Sequence, residues 1–254
     1  MHEFPIFEAA GFRIDISTVI AIVVSAVITF LLARLAVRNL SVDNPSKLQN
    51  FMEWVVEFVQ STIGSTMPSH RVKPFVSLGL SLIVFIFISN LLGLPFGIVT
   101  EIDHVDEMLG VTKELLDENE GHVHLAWWKS PTADLSVTFG LATVVFFLIH
   151  ILGMKMNRKH YLRHFFKPYP IFFPLNIIET LVKPLTLGIR LFANIFAGEV
   201  LIATILMLSW GGLPFLAVWQ GFSIFVGAIQ AFLFTILSMV YISQAIIHEE
   251  HEHQ

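Results

Sequence analysis

IFFPLNIIETLVKPLTLGIRLFANIFAGEVLIATILMLSW, from Ile171 to Trp210, is followed after the turn signal Gly211-Gly212-Leu213-Pro214 by a second apolar run ending near Ile247. If continuously helical at about 1.5 Å per residue, the two runs would reach about 60 and 50 Å, against a hydrocarbon core of about 30 Å. They are therefore expected to form a bent or strongly tilted hairpin of membrane helices, residues 171–210 and 214–247. In the middle of the first run stands Arg190. A permanent charge at bilayer depth costs about 2.5 to more than 10 kcal/mol, so its default meaning is functional. Because a guanidinium does not give up its proton at biological pH, it acts as a fixed cation and not as a link in a proton relay.

At 100° per residue, Glu179, Lys183, Thr186, Arg190 and Asn194 share one narrow sector of that helix. Glu199, nine residues beyond Arg190, lies about 13.5 Å farther along the axis than the arginine and half a revolution away from it. One face thus presents the cation, while carboxylates mark the two ends. The last segment adds a milder polar stripe of Gln220, Ser223, Gly227 and Gln230, whose small residues and amides suit close approach and hydrogen bonding between helices. Carboxylates on either side of a fixed cation suggest two separate aqueous paths. Plainer readings stand beside this one. Glu179 and Lys183 form an (i, i+4) pair able to neutralise each other, and Asn194 and Gln230 could serve only to join helices. Direct pairing of Arg190 with Glu199 is disfavoured by their helical phase.

Working outward, apolar runs at 17–37, 75–94 and 135–154 each have about the 20 residues a spanning helix needs. Residues 46–66 place Leu48, Phe51, Met52, Val55, Phe58, Val59 and Ile63 at helical spacing, interrupted by Lys47, Glu53 and Glu57. This predicts an amphipathic helix at the membrane surface or packed on neighbouring protein. The whole chain, 1–254, reads as one all-α polytopic membrane domain with five long membrane helices and this interfacial helix. Its 254 residues are 55% hydrophobic and only 14% charged, with a mean hydropathy of +0.73. That leaves too little polar material for soluble domains. The absence of cysteine excludes disulfides, thiol nucleophiles and Cys-based metal sites. The tail HEEHEHQ, 248–254, lacks the HExxH spacing of a zinc protease. The N-terminus, 1–16, lacks the basic region of a secretory signal, so the first span is read as retained.

Arg34, Arg38, Lys47, Arg71, Lys73 and the basic loop 155–170, with Lys155, Arg158, Lys159, Arg163 and Lys167, fall on one side of the implied topology. The acidic loop 101–133, which includes His104, His122 and His124, falls on the other. The positive-inside rule puts the N-terminus outside and the C-terminal tail in the cytoplasm.

The run KPLTLGIRLFANIFAGE (Lys183 to Glu199), followed by IQAFLFTILSMVYI (Ile229 to Ile242), resembles the C-terminal signature of subunit a of F-type ATP synthases, the membrane stator facing the rotating ring of c subunits. The resemblance extends to QNFMEWV (Gln49 to Val55), NLLGLPF (Asn90 to Phe96) and WWKSPTAD (Trp127 to Asp134), and it is closest to bacterial, Bacillus-like members. It implies a bacterial plasma-membrane protein that is no enzyme by itself and carries no cofactor. The implied partners are the c ring, the b-subunit peripheral stalk, the remaining synthase subunits and lipid, with no nucleic acid. It further implies that Arg190 meets the c-subunit carboxylate and that Asn194, Glu199 and Gln230 belong to a half-channel open to the outside, with Asp134 near its mouth. Glu179, next to Lys183, fits a cytoplasmic half-channel by position. Ser223 stands where some members have histidine, so proton passage there would depend on water or on Glu199. Gly198 stands where some alkaliphile relatives have lysine. The rival class is a self-contained ion transporter or channel with Arg190 as an anion site.

Overall fold

In a computed structural model, the chain is described for all residues except 1–3, 10–11, 95–98, 107–108, 119–120, 167–168 and 247–254. The expected tail 248–254 and Lys167 therefore lie outside the described residues, as do the first residues of the expected N-terminal segment. Helices dominate: α1 (Ile16–Ala36), α2 (Lys47–Gly64), α3 (Ser69–Leu92), the short α4 (Lys113–Glu118), α5 (Leu135–His164), α6 (Phe173–Leu206) and α7 (Leu213–Ile246). Five of them, α1, α3, α5 as far as Met156, α6 and α7, are long and apolar enough to cross a membrane. The expected all-α polytopic class holds. The expected spans fall on these helices, with α3 starting six residues earlier than the apolar run because polar Ser69, His70, Arg71 and Lys73 occupy its first turns.

What the hydropathy pattern did not foresee lies between the spans. Strands β1 (Ile6–Ala9) and β2 (Phe12–Asp15) form an antiparallel hairpin before α1. Strands β3 (Val99–Ile102) and β4 (Val123–Ala126) form a second one, with α4 inserted between them. The expected plain N-terminal segment and acidic loop are thus partly folded as sheet. Both hairpins sit where α1 begins and α3 ends, and this is called the hairpin end below. A small cluster of Val111, Leu116, Val123 and Leu125 gives the second hairpin its own core.

The main core joins Val59 and Ile63 of α2, Phe75 and Ile86 of α3, Val145 and Ile149 of α5, Leu187 and Leu191 of α6, and Phe234, Met239 and Ile242 of α7. The amphipathic reading of α2 is resolved into two faces. One packs Val59 and Ile63 against α3, so close that a Cβ on Gly79 would lie 2.9 Å from Ile63 Cδ1. The other leaves Phe51, Trp54 and Phe58 exposed, with the Trp54 and Phe58 rings stacked at 6.0 Å. The loop after α2 and the first turn of α3 clasp the far end of α7: Ser243 Oγ donates to Thr66 O at 2.6 Å, and Arg71 Nη1 donates to Ile246 O at 3.2 Å. A cation there complements the partial negative charge of a helix C-terminus.

Helices α6 and α7 form the hairpin expected from their length, joined by the 3-10 turn Ser209–Gly212. They are covered unequally. In their most apolar windows 39% of α7 is buried but only 6% of α6, so α6 is a peripheral helix with one long side unoccupied by its own chain.

Candidate functional site

Pro184, Leu187, Gly188 and Leu191 are the buried residues of α6, spaced as one helical stripe. Gly188 lets α5 come close, since a Cβ there would lie 3.1 Å from Thr138 O and 3.2 Å from Ala142 Cβ. Ile178, Val182, Leu185, Ile189, Phe196 and Val200 are exposed on the other side. Arg190 falls at the border between the two and is exposed. Among the described residues no carboxylate is within ion-pair distance of its guanidinium.

Asn194, one turn farther on, does not simply repeat the setting of Arg190. Its Nδ2 donates to Gln230 Oε1 of α7 at 2.9 Å, which ties the two long helices together beside the arginine. Gln230 is 1% exposed and its Nε2 has no hydrogen-bond partner. Helical phase put Asn194 in the arginine sector, but the neighbouring helix stands close enough to take its amide.

Glu199 points to the other side of α6, into the body of the protein. Its Oε1 accepts a hydrogen bond from Ser130 N at 3.0 Å. Ser130 belongs to the segment between β4 and α5, which descends from the hairpin end between the helices. Trp128 Nε1 donates to Leu92 O at 2.6 Å, Ser130 Oγ donates to Ser89 O at 2.8 Å, and Thr132 Oγ1 donates to Asn90 Oδ1 at 2.6 Å. Asn90 Nδ2 in turn donates to Gly227 O of α7 at 2.9 Å. These partners hold a short segment, which includes the 3-10 turn Pro131–Ala133, against α3 and α7, where its backbone would otherwise be costly to bury.

Around Glu199 lies a cavity of about 430 Å3, lined among others by Asn90, Ser130, Asn194, Glu199, Trp219 and Ser223. Ser223 Oγ is buried there without a protein partner. The wall is mostly apolar, but a cavity of this size with these polar groups in it is roomy enough for several ordered waters. Gln230 does not line it but sits just beyond Asn194. Gly93, which ends α3, makes the arrangement sterically possible: a Cβ there would lie 2.5 Å from Ser130 Cβ and 2.9 Å from Glu199 Oε1. Gly93→Ala is therefore expected to push Ser130 off Glu199 and to lower the stability of the chain by about 1 to 3 kcal/mol, the cost of overfilling a packed site. An unchanged thermal unfolding midpoint in detergent would show that this close approach does not matter.

Asp134 is not among the residues lining that cavity. Its Oδ2 is paired with Lys129 Nζ at 3.0 Å and accepts from Thr18 Oγ1 at 3.1 Å. Burial alone would raise its pKa, but the hydrogen bond and charge of Lys129, with the Ser136 N–H and Thr18, outweigh burial and hold the carboxyl below its ordinary value. A carboxylate so held stays ionised near neutral pH and is suited to structure more than to carrying protons.

At the opposite end of the bundle, Lys183 Nζ pairs with Glu179 Oε1 at 2.9 Å, as the (i, i+4) spacing allows. Lys183 also lines a smaller pocket of about 70 Å3 with His150, Tyr161, Thr180, Tyr241 and Gln244. The Tyr161 hydroxyl is buried there without a partner. Sequence reasoning missed Ser130, Asn90 and Gly93. A backbone N–H has no side-chain signature, and a glycine shows its purpose only when the facing residue is known. Among the described residues no cluster of His, Asp and Glu is placed to hold a metal ion.

Residues 18–243 match the family model described as ATP synthase A chain. The chain is similar to ATP synthase subunit a of Anoxybacillus flavithermus, 45% identical over 257 residues that cover 98% of this chain and 99% of the relative. It is 41% identical to the protein of the same description from Bacillus subtilis, covering 98% of this chain and 99% of that one, and 42% identical to that of Priestia megaterium, covering 96% and 98%.

Proposed function

This chain belongs to the ATP synthase A chain family, and on that premise we propose that it is the membrane stator of a bacterial F-type ATP synthase, carrying protons through two offset half-channels that meet only at a ring of c subunits. The observation that carries the reading is Arg190. A fixed cation in the middle of a span, exposed on the least covered helix and unpaired among the described residues, is too costly to leave facing lipid. It calls for an anionic partner from another chain, and a rotor carboxylate supplies one.

The hairpin end is assigned to the outside and the opposite end to the cytoplasm, where the b subunits and the rest of the synthase would attach. Arg34, Arg38, Lys47, Arg71, Lys73, Lys155 and Arg158 all sit toward the opposite end, in keeping with the positive-inside rule. A proton from outside enters the cavity around Glu199, is passed by that carboxylate through water near Ser223 and Asn194, and neutralises a ring carboxylate. The neutral site can then turn into the lipid. After nearly a full revolution it reaches Arg190, whose charge favours the ionised form and expels the proton toward the pocket beside Lys183 and Glu179. Because the guanidinium cannot relay protons, it also separates the two paths. Each charge moved contributes about 2.3 kcal/mol per 100 mV. The chain performs no chemistry alone; it converts ion flow into rotation.

The test exploits a chain without native cysteine. Ile189→Cys and Phe196→Cys lie on the uncovered side of α6, 44% and 48% exposed, whereas Leu187 is 1% exposed. In the assembled synthase, the first two are expected to cross-link to a cysteine placed beside the ring carboxylate, and Leu187→Cys is not. Failure of both exposed positions, or ion conduction by this chain in vesicles without its ring, would favour a self-contained transporter.

A further inference from the structure

Lys129 is a closely enclosed cation, with a side chain only 10% exposed. Three separate parts of the chain converge on it. Its Nζ lies 2.5 Å from Asp15 Oδ2, at the end of β2, and 3.0 Å from Asp134 Oδ2, just before α5. It also lies 4.2 Å from the centre of the Phe4 ring. The two carboxylates are engaged elsewhere as well: Asp15 caps α1 through Thr18 N at 3.2 Å, and Asp134 accepts from Thr18 Oγ1 and Ser136 N. Enclosing one cation and two carboxylates is expensive, and such pairs are weak sources of stability. Their better attested use is to fix one arrangement among several.

What they fix follows from the next residue. Ser130 carries the N–H that bonds Glu199, and its own hydroxyl is bonded to Ser89 O. Between the Lys129 triad above and the Ser89 and Asn90 contacts below, the backbone at 129 and 130 is held from both sides. The Ser130 N–H is thereby aimed at Glu199. We propose that Lys129 is a positioning residue for the outer proton path: anchored by Asp15 and Asp134, it aims the Ser130 N–H at Glu199 and so sets the geometry in which that carboxylate takes up a proton. This gives the N-terminal hairpin a part in ion flow, since Asp15 and Phe4 both come from it. The proposal rests on the reading of Glu199 as the outer proton acceptor.

The experiment uses the whole synthase in proteoliposomes and measures proton flux per assembled complex. Lys129→Met is expected to lower flux by about tenfold, the worth of a misaligned hydrogen bond to a charged group, at an unchanged level of assembly. Lys129→Arg, which keeps a cation able to bridge both carboxylates, is expected to restore flux to within about twofold. The deciding variant combines Lys129→Met with Glu199→Gln. If Lys129 acts through Glu199, the double variant is no slower than Glu199→Gln alone, because interacting sites do not add. If the two losses multiply, or if Lys129→Met runs at the normal rate, the positioning role is overturned. Should Lys129→Met fail to assemble, Asp15→Asn takes its place, since asparagine can still cap α1 but holds Lys129 with one charge fewer. A smaller loss that disappears on the Glu199→Gln background supports the proposal, and an unchanged rate overturns it. Normal flux in Glu199→Gln alone would instead defeat the proton-path reading on which the proposal stands.

Discussion

Arg190→Ala is expected to abolish ATP synthesis while leaving the complex assembled. The side chain is exposed on α6 and holds no ion pair among the described residues, so its loss breaks no salt bridge seen there. On the proposed reading, what disappears is the charge offered to the rotor. An opposite charge within about 4 to 6 Å favours an ionised carboxylate by about 1 to 3 pKa units, so proton release should slow by about 10- to 1000-fold. The proposed barrier between two aqueous paths would be removed at the same time, and passive proton leak should persist or rise. Arg190→Lys is expected to fail nearly as badly, because an ammonium deprotonates more readily when desolvated and lacks the planar fork. The measurement is ATP synthesis and passive proton conduction in the same vesicles. Normal synthesis by Arg190→Ala would sink the central claim.

The membrane helices were legible because a span must be satisfied within one continuous segment. About 20 apolar residues suffice to mark it, and α1, α3, α5, α6 and α7 all carried that mark. Arg190 and Glu199 were legible for the complementary reason, as charges that such a segment cannot hold idly. The hairpins were not. Four-residue strands such as Ile6–Ala9 and Val99–Ile102 are too short for their alternation to stand out, and they acquire partners only through turns and long connections. The surroundings of Glu199 were hidden more deeply. Lys129 and Asp134 are close in sequence, but Asp15 is separated from them by four helices, α1 to α4, and the group that meets Glu199 is a backbone amide. Asn194 shows the limit of helical phase. The wheel gave its angle correctly relative to Arg190, yet only the position of α7 decides that an amide at that angle meets Gln230.

Glu199→Gln is expected to slow turnover by about a hundredfold or more, the lower range for removing a positioned proton-transfer group, without uncoupling the motor. Glutamine is nearly isosteric, and its Oε1 can still accept from Ser130 N, so the cavity and the contacts of the loop should survive. What it cannot do is take up and release a proton, the step the proposed outer path requires of Glu199. Arg190 remains in place, so no leak should open, and the protons that do pass should still drive ATP synthesis in the usual ratio. Glu199→Asp separates geometry from titration. It keeps the carboxyl but draws it back by one methylene from an N–H now 3.0 Å away, so flux should fall between the native and Gln forms, with the shortfall bridged by water in the surrounding cavity. Proton flux and ATP yield measured together distinguish the outcomes. Low flux with a normal yield per proton supports a relay at Glu199, whereas low yield at normal flux would mean that the residue guards the barrier instead of feeding the rotor.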